Sequence, residues 1–330
     1  MISPEWKQLG YINEPIPAGI DLKAEIRRIA KEKNAVILAH YYVDGALQDI
    51  ADFVGDSLAL AQQAAKTTAD IIVMCGVHFM GETNKILCPD KKVIMPDLNA
   101  LCSLAESCSA EEFKAFVEAH PDHKVVSYVN TTASTKAYTD IVVTSTNARQ
   151  IVESFPKDQK LIFGPDRNLG AYINSVTGRD MLLWNGACHV HERFSVEKLL
   201  QLKREHPKAK ILAHPECQGP VLKLADFIGS TAALLKYAVQ SEHDTFLVAT
   251  ESGILHEMQR QAPDRTFIPV PPDDSTCACN ECNYMKLITL QKVYNSLRYE
   301  WPTIEVSAEI VERALQPIER MLEKSKELGL

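Results

Sequence analysis

The 330-residue chain has no surplus of positive charge, no long apolar run and no glycine-rich phosphate loop. Its 35 Lys and Arg against 43 Asp and Glu leave a net charge of -8, with a pI of about 5.7. A nucleic acid or an anionic membrane selects a basic face, so neither partner is expected. A small anion remains open, because a few amides at a helix end suffice to hold one. No apolar stretch approaches the roughly 20 residues of a membrane helix. The opening MISPEWKQLGYINEPIPAG lacks a basic segment followed by an apolar one, so no secretory signal and a cytoplasmic location are expected. Without a GxGxxG or Walker-type loop, a nucleotide cofactor is not expected either.

Cysteine is the residue present in excess. Nine of them, an odd number, are scattered along a chain long enough for two or three cores, which argues against a disulfide framework. Cys75, Cys88 and Cys217 read as small buried hydrophobes.

Short β-branched runs alternate with helical stretches, the mark of parallel sheets covered by helices. The runs are AVILAH, DIIVMCG, KVIMPD, KVVSYVN, DIVVTST, LIFGPD, MLLWNGACH, KILAHPE, TFLVATE and TFIPV. His40, Tyr128 and His214 end the first, fourth and eighth of them at separations of 88 and 86 residues. Ser57, Ser145 and Thr231, each before a helical stretch, repeat at 88 and 86, and Cys102, Cys188 and Cys282 at 86 and 94. Three marks with one period predict an internal repeat. The expected fold is α/β: three repeated αβα modules with parallel sheets around a pseudo-threefold central cavity. The boundaries read as 1–105 with an N-terminal helix, 106–192, 193–283, and C-terminal helices over 284–330 that pack back on the modules.

One thiolate per module could converge on a single metal centre, and three thiolates without an equivalent fourth suit a [4Fe–4S] cluster with one iron open to substrate. A zinc site, or three unrelated buried cysteines, is the competing reading. In the local trio Cys277, Cys279 and Cys282, the last is taken as the ligand and Cys279 is its nearest rival. The spacing of Cys279 and Cys282 permits a zinc knuckle, but no second pair stands nearby. Cys277 and Cys279 could pair reversibly on oxidation.

Ser57, Ser145 and Thr231 read either as helix N-caps or as hydroxyls that, with helix amides, cradle a carboxylate or phosphate. His40, Tyr42, Tyr128, Asn130, His214 and Glu216 crowd the first-strand edges, where they could move protons and stabilise an oxyanion. His191, in CHVH beside Cys188, is assigned to the substrate or to the surroundings of the cluster.

With these residues assembled, the chain resembles quinolinate synthase, the A-protein family of de novo NAD biosynthesis. The likeness is carried by AHYY with VGDSLALA, MCGVHFMGETNKIL, YVNTTASTKA, GPDRNLGAY, WNGACHVHERF, AHPEC, IGST and the Cys282 region, over about residues 35 to 290. The resemblance implies a [4Fe–4S] cluster on Cys102, Cys188 and Cys282, the last because an aromatic, Met and Lys follow it. It implies condensation of iminoaspartate (iminosuccinate) with dihydroxyacetone phosphate, then loss of phosphate and water with ring closure. Implied substrate contacts are His40, Ser57, Tyr128, Val129, Asn130, Ser145, His191, His214, Pro215, Glu216, Ser230 and Thr231. Acid–base roles fall to Tyr42 and Glu216, with Tyr128 and His214 beside them. L-aspartate oxidase is the functional partner that this activity implies. Another iron–sulfur hydro-lyase, or a non-catalytic iron or redox sensor, is the alternative.

Overall fold

The computed structural model describes residues 2–273 and 280–330. Among the described residues, twelve strands form three four-stranded sheets, and every pairing within them is parallel. Module one contains β1 (Ala35–His40), β2 (Phe53–Gly55), β3 (Ile71–Cys75) and β4 (Lys92–Ile94). Module two contains β5 (Lys124–Tyr128), β6 (Ile141–Val143), β7 (Leu161–Gly164) and β8 (Leu182–Leu183). Module three contains β9 (Lys210–Ala213), β10 (Phe227–Ile228), β11 (Thr245–Ala249) and β12 (Thr266–Pro269). The orders are β2-β1-β3-β4, β6-β5-β7-β8 and β10-β9-β11-β12, one topology used three times. The ten runs read from the sequence all contain strands. The additional strands β2 and β10, three and two residues long, lie outside those runs.

The repeat extends into the details that hold the strands. Helices Leu22–Glu32, Ala110–Glu118 and Val196–Glu205 precede the three modules, capped by Asp21, Ser109 and Ser195, whose side chains accept N–H groups of the first turn. Asp52, Asp140 and Asp226 stand at the same place in each module. Each carboxylate accepts a first-strand amide (Ile37, Val125, Ile211) at 2.8 Å. These bonds satisfy a backbone donor just inside each sheet, which buried strands require.

In each sheet the chain starts in the middle, steps to one side and then returns to the other, so a topological switch lies between the first and third strands. Side chains beyond the carboxyl ends of those strands face the crevice where such sheets bind ligands. The apolar strand bodies lie in the core: Ile37, Leu38, Val126 and Phe163 are fully buried. Helix Ala308–Glu327 packs over β6 and over helices Ala133–Lys136 and His78–Leu87, with Ala314, Ile318 and Met321 buried as its periodicity predicts. Helix Leu290–Tyr299 packs on helix Leu22–Glu32. No described helix is long and apolar enough to cross a membrane.

Candidate active site

The carboxyl ends of the three sheets open into one cavity of about 630 Å3, counting its mouth. His40 is the last residue of β1, Tyr128 the last of β5, and His214 follows β9 by one residue. Two positions beyond them stand Tyr42, Asn130 and Glu216, again 88 and 86 apart. All six line the cavity. Because a strand sends alternate side chains to opposite faces, the intervening Val129 and Pro215 do not line it. Val129 instead joins the apolar core shared by modules one and two.

Of the two readings left open for Ser57, Ser145 and Thr231, the second-strand edges rule out that of N-caps. The caps are Asp56, Asn147 and Ser230, and Ser57 and Thr231 are the first helical residues. Asp56 accepts the Ala59 N–H at 3.0 Å and Ser230 accepts that of Ala233 at 3.3 Å. The caps relieve Ser57 and Thr231 of that duty, so both hydroxyls, with Ser145, line the cavity. Ser230 does not, since its hydroxyl is used by the cap and by Thr146. Thr146 donates to Asp56 at 2.7 Å and lies 2.8 Å from Ser230, so one hydroxyl from each of two modules and a carboxylate from the first meet in a chain.

Glu216 is the charged centre of the site. It is 2% exposed, and its Oε2 lies 2.7 Å from His191 Nδ1 and 3.8 Å from His214 Nδ1. Burial alone would raise its pKa, but the His191 ring beside it and a hydrogen bond donated by Tyr128 hold it below the usual carboxylate range. Burial pushes His40 and His214 down to about 3, against the opposing pull of Glu216, so both rings are neutral near pH 7. Burial, with Glu216 nearby, raises Tyr42 and Tyr128 well above the ordinary phenol value. Both tyrosines are thus proton donors at neutral pH. Tyr42 reaches from module one into module three, its hydroxyl 2.8 Å from those of Thr231 and Thr250. Thr250 in turn lies 2.9 Å from His191 Nε2.

Cys102, Cys188 and Cys282, one from each stretch of chain, line the same cavity. Each begins a short helical turn: Ser103–Glu106, His191–Arg193 and Met285–Leu287 follow them. Each cysteine carbonyl accepts the N–H four residues on (Glu106, Glu192, Lys286), at 2.9, 2.9 and 3.2 Å. Amides three residues on (Ala105, His191, Met285) face the sulfurs and favour their ionised form. The loops also touch: Ser103 Oγ is 2.6 Å from His189 Nδ1, and the His189 ring stands edge-on to Tyr284. Burial raises Cys102 to about 12, Cys282 to about 11 and Cys188 well beyond its ordinary value. Thiols so buried ionise only beside positive charge, and a metal supplies it. Among the described residues, Cys188, His191 and Glu216 place ligand atoms within 4.8 Å of one another, a possible metal-binding group. Three thiols lining one cavity are also a donor set of the kind that holds an iron–sulfur cluster. The rival ligand Cys279, and its partner Cys277, lie outside the described residues. Cys75, Cys88 and Cys217 are buried as expected.

A family model described as "Quinolinate synthetase A protein" matches residues 24–323. The chain belongs to the quinolinate synthetase A family. Proteins named quinolinate synthase are similar to it over nearly their whole length. That of Thermosynechococcus vestitus is 56% identical over 94% of this chain and 97% of its own. That of Nostoc punctiforme is 58% identical over 93% and 94%, and that of Chloroherpeton thalassium 54% over 93% and 95%. As a member of the quinolinate synthetase A family, this is an enzyme of the synthase type, in NAD biosynthesis.

Sequence reasoning missed several residues of the site. Asp56, Thr144 and Glu251 line the cavity, and Thr250 and Asp166 support it. Aligning the third strands as well as the first would have found Asp166 and Glu251, each two residues past a strand end.

Proposed function

We propose that this enzyme condenses iminoaspartate (iminosuccinate) with dihydroxyacetone phosphate to quinolinate, phosphate and water, with a [4Fe–4S] cluster on Cys102, Cys188 and Cys282. The observation that carries this reading is the meeting of three repeated cysteine turns with three repeated pairs of polar residues in one buried cavity. The cluster, when bound, supplies a Lewis-acidic iron open to a substrate oxygen.

The chain's own residues account for the rest. Ser57, Ser145 and Thr231 offer hydroxyls, two of them at the starts of helices, to the substrate carboxylates and phosphate. Asn130 Oδ1 is buried without a partner among the described residues and is placed to accept from the substrate. Glu216, held ionised, accepts a proton from carbon or nitrogen, and Tyr42 and Tyr128, held protonated, donate to a leaving oxygen. Neutral His40 and His214 hydrogen-bond without adding charge. Val77, Phe79 and Met80 give the cavity an apolar wall, which restricts the water that would hydrolyse an imine. The net reaction is redox-neutral, so no electron donor is needed. Since the imine is short-lived in water, L-aspartate oxidase is the partner that would supply it.

Anaerobic iron and sulfide analysis beside product assay tests the proposal. The wild type should carry both elements and form quinolinate only when given both substrates. Cys102→Ala, Cys188→Ala and Cys282→Ala should each lose the cluster, and Cys75→Ala should keep it. Zinc in place of iron, or turnover of a hydroxy acid alone, would overturn the reading.

A further inference from the structure

The ends of the third strands carry a feature that the acid–base site does not use. Register pairs Cys75 with Ala39, Gly164 with Ser127 and Ala249 with Ala213, so the residues two further on (Val77, Asp166 and Glu251) occupy one position of the repeat. Asp166 and Glu251 are 0% and 1% exposed. Asp166 Oδ1 accepts the Leu169 N–H of its own helix at 2.8 Å, and its Oδ2 accepts the Cys188 N–H at 3.1 Å. Glu251 Oε2 accepts the Gly253 N–H at 2.7 Å, and its Oε1 accepts the Cys282 N–H at 3.1 Å. Each carboxylate thus has one oxygen on the segment that follows its own strand and the other on the amide of a cysteine 22 or 31 residues away.

Glu251 lies a further 3.3 Å from Lys286 Nζ, which also donates to the Tyr42 carbonyl at 3.0 Å. Module one has no carboxylate at this position, and its backbone provides the equivalent tie. There the His78 N–H, next to Val77, donates to the Ala100 carbonyl at 2.7 Å, two residues before Cys102. Each cysteine segment is therefore tied to the edge of a third strand, by backbone in module one and by a buried carboxylate in the other two.

We propose that Asp166 and Glu251 are positioning residues that hold the Cys188 and Cys282 turns at the spacing a cluster requires, through the cysteine amides rather than the sulfurs. This inference rests on the three-cysteine cluster proposed above. Each carboxyl oxygen accepts a buried cysteine N–H, and its removal leaves that donor unpaired. The loss should appear as faster release of the cluster. Asn and Gln keep one amide oxygen and should rescue in part.

The test is the rate of iron loss from anaerobically reconstituted enzyme to an excess of a ferrous chelator, followed by visible absorbance, with apo-protein melting recorded alongside. Outer-shell partners of a metal site are typically worth about 10- to 100-fold in affinity. Asp166→Ala and Glu251→Ala should lose iron about tenfold or more faster than wild type, with Asp166→Asn and Glu251→Gln between. Asp140→Ala removes an equivalent strand-holding carboxylate of module two that touches no cysteine. It should lower the melting temperature while leaving the rate of iron loss as in wild type. Iron loss from both Ala variants at the wild-type rate overturns the proposal, as does equally fast loss from Asp140→Ala. A wild type without iron and sulfide refutes the cluster itself, a different failure.

Discussion

Modules one and two share a large apolar core with the C-terminal helices, and module two buries a further small cluster around Phe113, whereas the buried residues of module three form two clusters apart from that shared core, one on each face of its sheet. The shared core runs from Ile26 through Met181 to Met321 and includes strands of both modules. Directional contacts tie module three to that body, beside the Tyr41 and Tyr42 rings packed on its core: Tyr42 on Thr231 and Thr250, Gln48 on the Gly253 carbonyl, His256 on Asp49, and Asn280 on the Val190 carbonyl. Apolar burial is non-directional and accumulates with area, but hydrogen bonds are directional and contribute only about 1 kcal/mol each. One plan used three times therefore yields a fused pair and a separately cored third part. The cavity lies on the boundary between them, where directional contacts set the positions of the polar groups that line it.

The largest effects should come from breaking either core, and they should differ in reach. Phe246→Ala, in module three's own core, should cost about 3–5 kcal/mol. Amide exchange should accelerate over residues 210–270 and stay slow in β1, β3 and β5. Equal acceleration in all three sheets would refute the separation of cores. Ile318→Ala should cost about 2–5 kcal/mol and do the opposite, accelerating exchange in modules one and two together. A contact across the boundary sharpens the contrast at smaller scale. Tyr42→Phe deletes two hydrogen bonds, so melting should report a loss of about 1–3 kcal/mol, with both cores intact by exchange. The smallest effect concerns the shared body alone. Glu300, tied to Lys33 at 2.6 Å and to Lys92, has its pKa lowered from 4.5 to about 2 by those hydrogen bonds. A lowered folded pKa adds stability above about 4.5, and that stability is lost as the pH falls towards 2. Because the pair is partly exposed, the loss should be under about 1 kcal/mol, and absent in Glu300→Gln, by melting between pH 5 and 2.5.

The three-module fold was legible because β1, β5 and β9 are short, buried and apolar, and because His40, Tyr128 and His214 repeat where those strands end. Cap and cavity roles stayed open for Ser57 and Thr231 because each adjoins an equally good capping residue. Only backbone geometry decides which of the two lies outside the helix. Asp166 caps its own helix with one oxygen, while its second oxygen holds a cysteine far along the chain. Sequence spacing carries no signal for such a contact.

From its sequence alone, this protein's parallel sheets, its threefold repeat and the residue types at the strand edges were determined, because burial and strand periodicity are local and recur at a fixed interval. Tertiary structure alone decided that Glu216 sits between His191 and His214, that both tyrosines keep their protons and that two carboxylates hold cysteine turns. Those facts depend on how three edges meet and exclude water, and on distances between segments that no spacing along the chain encodes.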